Sequence, residues 1–178
     1  MKLKTKYEGL LAIDPGVKTV GWCVFNEGRY IGSGLARPYN NLTTLSAMEE
    51  SIKIIHEKWE EFLSGTIRPE VLVIERPQVY QQQFLKGDPN DLIPLAIIGG
   101  AIWNNMKPKE VVFPQPKQWK GQVPKDVMTE RTIKQLTKQE QELLKDDVTR
   151  IPSSLRHNVY DAIGIALWQV NRKGARNE

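Results

Sequence analysis

Apolar positions change their period several times along the chain. Gly9 to Asp14, Val20 to Phe25 and Tyr30 to Leu35 are short apolar stretches with turn residues between them. Pro15-Gly16 separates the first two, and Asn26-Glu27-Gly28 is a hairpin signal between the second and third. Three strands are therefore predicted, with an antiparallel start to the sheet. From Leu45 the period lengthens. Leu45, Met48, Ile52, Ile55, Trp59 and Phe62 recur at steps of three and four, one face of a helix, with Ser46-x-x-Glu49 as a capping box at its start. Val71 to Ile74 is a continuous apolar run, as in a strand covered on both faces, and it ends at Glu75.

Beyond a polar loop from Val79 to Asp91, Leu92 to Met106 is apolar nearly all round, which predicts a buried helix with Pro94 in its first turn, or a helix whose exposed part forms a dimer interface. Gly99-Gly100 is costly within a helix and implies close packing on the sheet. The strand Val111 to Phe113 follows, then an amphipathic helix from Pro124 to Leu136 and a short one to Leu144, capped by Thr137-x-x-Glu140. Ser153 or Ser154 caps a last helix to about Val170, whose buried stripe runs through Leu155, Val159, Ala162, Ile163, Ala166 and Val170. This order predicts an α/β fold: a mixed central sheet of antiparallel hairpin strands followed by parallel strands, flanked by helices. Residues 1–171 read as one domain and 172–178 as a basic, disordered tail.

Composition narrows the class. The chain has 178 residues, 40% of them hydrophobic and 26% charged, which is ordinary for a globular protein. No stretch approaches the roughly 18 apolar residues of a membrane helix, and the apolar run behind the basic start is too short for a secretory signal. A lone cysteine, Cys23, makes no internal disulfide and fits a reducing, cytoplasmic compartment. Net charge is +4, a mild pointer to a polyanionic partner. Five lysines (107, 109, 117, 120 and 125) surround Trp119 with one acid, Glu110, among them, a pattern suited to tracking phosphates. Lys2, Lys4, Lys6, Arg172, Lys173 and Arg176 add basic ends. Trp119 also has a plain reading as a core residue, which Trp22, Trp59, Trp103 and Trp168 share.

Three acids stand where structure does not need them. Asp14 and Glu75 each end a strand, and Asp161 lies within the last helix between Val159 and Ala162. Singly they read as a turn residue, a surface partner of Arg76 and a solvated helix residue. Together they suggest a site. If the first and fourth strands are parallel neighbours, Asp14 and Glu75 open into one crevice beyond the strand ends, and the last helix brings Asp161 to it. Gathered carboxylates raise one another's pKa and call for a cation. Oxygen donors select Mg²⁺ or Mn²⁺, and two such ions roughly 3.5–4 Å apart hydrolyse phosphodiesters. No Cys/His spacing suits zinc. His157 and Asn158 lie four and three residues before Asp161, on its side of the helix, where either can serve a second ion; His157 can also shuttle protons.

At these residues the chain resembles RuvC-type Holliday junction resolvases of the RNase H-like superfamily. Leu10-Leu-Ala-Ile-Asp-Pro-Gly-Val-Lys-Thr-Val-Gly-Trp22 is similar to their first motif and Val71-Leu-Val-Ile-Glu75 to their second. Phe113-Pro-x-Pro-Lys-x-x-Lys120-Gly-x-x-Pro-Lys125 is similar to their lysine-bearing segment, and His157-Asn-Val-Tyr-Asp161 opens their final motif. The resemblance implies an RNase H-like fold, phage or bacterial, and a homodimeric, metal-dependent endonuclease that cuts branched DNA, with no nucleotide cofactor. It implies metal ligation by Asp14, Glu75 and Asp161, phosphate contact by Lys120 and Lys125 with Lys117 nearby, and base contact by Tyr80 and Phe84. Three residues before the final Asp the family usually has Asp or His, where this chain has Asn158. His157 is the favoured substitute, with Asp146 or Asp147 as alternatives. The family's longer Gly-rich stretch is also absent. The alternative readings are an RNase H-like ribonuclease, a catalytically inactive nucleic-acid-binding module of the same fold, and, disfavoured by length, an actin-like ATPase lobe.

Overall fold

A computed structural model describes residues 7–38, 43–66, 68–78 and 89–170. At its centre lies β1 (Leu10–Asp14), paired antiparallel with β2 (Val20–Asn26) and parallel with β4 (Val71–Ile74). β2 turns back into β3 (Arg29–Ala36) through Glu27 and Gly28, whose φ values of 48° and 75° are those of a two-residue primed turn. β5 (Glu110–Val112) adds a parallel strand beside β4, giving the order β3-β2-β1-β4-β5. This is the mixed sheet that the sequence predicts.

Alternation along the central strands sorts side chains into two cores. Leu11, Ile13, Leu72 and Ile74 face α1 (Thr44–Phe62) and α2 (Leu92–Met106), packing with Met48, Ile55, Trp59, Ile98 and Ile102. Leu10, Ala12, Val71 and Val73 face the other way. They meet α6 (Arg156–Gln169), with α4 (Lys125–Gln135) and α5 (Lys138–Thr149) beside it and the four-residue α3 (Pro116–Trp119) at one end. Because both faces of the sheet are covered, β1 and β4 are apolar throughout and carry a charge only where they end.

Several local expectations change. The N-cap of α1 is Thr43, whose hydroxyl accepts from the Ser46 backbone N–H at 3.3 Å, rather than a Ser46–Glu49 box. Leu45 in that first turn is exposed. The Thr137–Glu140 box forms, but α5 continues to Thr149. No serine caps α6; Ser153–Leu155 forms a 3₁₀ turn ahead of it. The helix Leu92–Met106 is not buried all round. Ile93, Ile97 and Trp103 are exposed, so Trp103 is not a core residue. A Cβ on Gly99 would meet Ile74 at 3.5 Å, whereas one on Gly100 would meet nothing, so sheet packing explains only the first glycine.

One contact sets the height of α6 over the sheet. Gly21 pairs with Asp14 across the β1–β2 ladder, and a Cβ built on it would lie 2.1 Å from the Asn158 carbonyl oxygen. Only glycine admits the first turn of α6 here. Gly21→Ala is expected to destabilise the fold by about 1–3 kcal/mol through overpacking against backbone. Urea unfolding checks this as a lowered midpoint at an unchanged slope.

Candidate active site

Asp14 continues the alternation of Leu10 and Ala12, so it projects from the α6 face of the sheet. Glu75 follows Val71 and Val73 in the same way, and its backbone N–H donates to the Ile13 carbonyl at 3.1 Å. The parallel register thus sets the two acids side by side at one sheet end. The first turn of α6, seated on Gly21, carries His157 and Asn158 over this end, with Asp161 one turn on.

The electrostatics follow from this placement. Burial, then the charges of Asp161 and Glu75, push the Asp14 carboxyl well above its ordinary range, against the pull of Lys120 and Lys125. Burial likewise raises Asp161, opposed by Lys120, Lys125 and His157. Glu75 is raised by burial, with Lys120 and a hydrogen bond from Trp119 acting the other way. Three partly desolvated carboxyls thus lie near one another, with Lys120 as counter-charge to all three.

Glu75 pairs with Lys120 (Nζ to Oε2 3.5 Å), not with its neighbour Arg76, which is exposed. The Trp119 indole N–H donates to the same oxygen at 2.7 Å. Both residues arrive there through the backbone: the Arg76 N–H donates to the Pro114 carbonyl at 2.9 Å, tying the segment that leads into α3 to the end of β4. Trp119 is buried, as its plain reading held, and yet touches the site; its indole donor is a contact the sequence gives no means to place. Lys117 and Lys120 line an open cleft with Gln118, Arg131 and Gln135. Arg131 has no sequence signal beyond its charge, because only the packing of α4 beside α3 brings it there.

The remaining expectations sort as follows. His157 and Asn158 are half-buried on α6. Asp147 is committed elsewhere: it accepts hydrogen bonds from the Tyr30 hydroxyl and from the Ser33 N–H at 3.0 Å, tying α5 to β3. Asp146 is exposed on α5. Tyr80, Phe84, Lys2, Lys4, Lys6 and the tail 172–178 lie outside the described residues. Among the described residues, no three His, Cys, Asp or Glu side chains form a ready-made ion-ligating group. Even so, the donor set fits a hard divalent cation, being three desolvated carboxyls, with the charge of Asp161 raising both Asp14 and Glu75.

No family model and no curated protein sequence matches the chain. Solved structures do. The sheet order and its flanking helices define an α/β fold of the RNase H-like class. More narrowly the fold is that of RuvC, as the sequence resemblance implies. T. thermophilus RuvC in complex with a Holliday junction substrate aligns at 15% identity and a TM-score of 0.58, over 94% of this chain and 96% of that one. A second T. thermophilus RuvC structure aligns at 16% identity and 0.51, over 90% and 92%. The yeast mitochondrial Holliday junction resolvase Ydc2 aligns at 17% and 0.44, over 94% and 83%.

The raised carboxyls fix a pH dependence. An acid held above its unfolded value keeps its proton longer in the folded chain, so its contribution is complete below the unfolded value of about 4 and is lost as pH rises through the folded one. The ion-free protein should therefore lose stability from mildly acid pH upward. Asp14→Asn should melt higher than wild type at pH 8, by about 2–4 °C for each 1 kcal/mol of repulsion relieved. The difference should shrink at pH 5. Thermal melts of both proteins in chelator check the sign.

Proposed function

We propose that this protein is a metal-dependent endonuclease that cuts branched DNA, such as Holliday junctions, forks and flaps. The observation that carries the reading is the meeting of Asp14, Glu75 and Asp161 at one end of a RuvC-type sheet, with their carboxyl pKa values raised together. These three residues would hold two Mg²⁺ ions, with Mn²⁺ as substitute, and His157 and Asn158 would complete the second site from the same face of α6. Divalent ions held there would activate water for attack and stabilise charge on the leaving oxygen of the phosphodiester. The chain's own residues bind and orient the strand. Lys120 and Lys125 set positive charge beside the carboxyls, where a scissile phosphate has to sit. Lys117 and Arg131 continue that charge along the α3–α4 cleft. His157, whose charge acts to lower the Asp161 pKa, would serve as the proton shuttle.

Cleavage of labelled four-way junction, fork, flap, linear duplex and RNA–DNA hybrid, with and without Mg²⁺, tests this. Wild type should nick branched DNA in the presence of Mg²⁺ only. Asp14→Asn should lose at least about 10³-fold in rate, since the interaction it removes stabilises developing charge, while still binding the junction. Preference for the hybrid would favour the ribonuclease reading, and no Mg²⁺-dependent nicking of any substrate would favour the inactive module.

A four-way junction is resolved by two cuts, so the reading includes a homodimer. On α2, Ile93, Ile97 and Trp103 form one exposed apolar stripe at 54%, 49% and 47% accessibility, and Trp103 meets the half-exposed Phe113 edge-on at 6.1 Å. A second copy of the chain is the occupant proposed for this face. The reading also takes residues 1–171 as a single domain with a basic tail, acting in bacterial or phage-infected cytoplasm. Among the described residues no helix is long and apolar enough to cross a membrane. Sedimentation should give a dimer for wild type at micromolar concentration and a monomer for Ile97→Asp/Trp103→Ser; a monomeric wild type would contradict the assignment.

A further inference from the structure

Trp119 is both a core side chain and a neighbour of the carboxyl cluster. Its ring lies against α6, where Gly164 leaves room: a Cβ there would come within 2.7 Å of the indole. The residue is 6% exposed, so its N–H needs an acceptor inside the protein. Trp59, buried in the opposite core, donates to a backbone carbonyl, that of Thr66, at 3.0 Å. Trp119 instead donates to Glu75 Oε2 at 2.7 Å. Lys120 Nζ lies 3.5 Å from that same oxygen and 4.7 Å from the centre of the Trp119 ring. One oxygen of Glu75 is thus held by a rigid, buried donor.

We propose that Trp119 is a positioning residue for Glu75, fixing the carboxylate through Oε2 so that it presents Oε1 toward a cation shared with Asp14 and Asp161. This rests on the ion-binding reading above. Carboxylates that ligate metals are oriented by outer hydrogen-bond donors, and loss of such a donor typically weakens metal affinity about 10–100-fold. A donor fixed by core packing suits that role better than the ammonium of a flexible lysine side chain.

Mn²⁺ titration calorimetry on DNA-free protein at pH 8, where an imidazole is neutral, separates donation from packing. Trp119→Phe keeps an apolar ring and removes the donor; Trp119→His keeps a ring N–H and packs worse. If donation is the role, Mn²⁺ affinity falls about tenfold or more in Trp119→Phe and is partly restored in Trp119→His, while thermal stability ranks the two variants in the opposite order. Wild-type affinity in Trp119→Phe, or Trp119→His binding no better than Trp119→Phe, would overturn the assignment while leaving the ion site standing. A wild-type protein that takes up no Mn²⁺ would overturn the assignment and the ion reading together.

Discussion

The parallel pairing of β1 with β4 is the constraint on which the rest depends. Each strand is buried on both faces, so its polar residues are confined to the end. Because side chains alternate, the register Ile13↔Ile74 fixes more than a hydrogen-bond ladder. It sends Asp14 and Glu75 out of the same face at the same height. A one-residue slip would turn one of them to the opposite face of the sheet, the side covered by α1 and α2. The apolar pattern of the two strands therefore specifies the site as firmly as it specifies the sheet.

Two glycines complete the arrangement by what they lack. Gly21 lets the Asn158 backbone rest on β2, directly across from Asp14, and so sets the height of Asp161. Gly164 leaves the space that Trp119 fills, and through Trp119 it bears on Glu75. Sheet, helix and the segment after β5 each deliver one part of the cluster, and close backbone contact holds the parts in place. The cost is electrostatic. Three carboxyls are drawn out of water beside one another, with Lys120, Lys125 and His157 as counter-charge among the described residues. Without a bound cation such a cluster costs the fold stability.

Much of this was legible from residues alone. The strand-terminal acids, the hairpin at Glu27-Gly28 and the Thr137–Glu140 box rest on local signals, namely alternation, turn chemistry and side-chain reach, and these persist in the fold. What escaped depends on contacts between distant segments. Trp119 looked like either a core or a nucleic-acid residue because no periodicity records that its N–H finds Glu75. For the Leu92–Met106 helix, composition leaves open full burial or a partly exposed face, because it cannot say which side is covered; one face packs on the sheet and the other carries Trp103 into solvent. Asp147 was open as a ligand until its bonds to Tyr30 and Ser33 took it to the far edge of the sheet.

The central claim is that three carboxyls far apart in the chain make one cation site. Anomalous scattering from a Mn²⁺-soaked crystal addresses it most directly. The account predicts anomalous density bounded by Asp14, Glu75 and Asp161. Density confined to other acids, or none at all at saturating Mn²⁺, would contradict it.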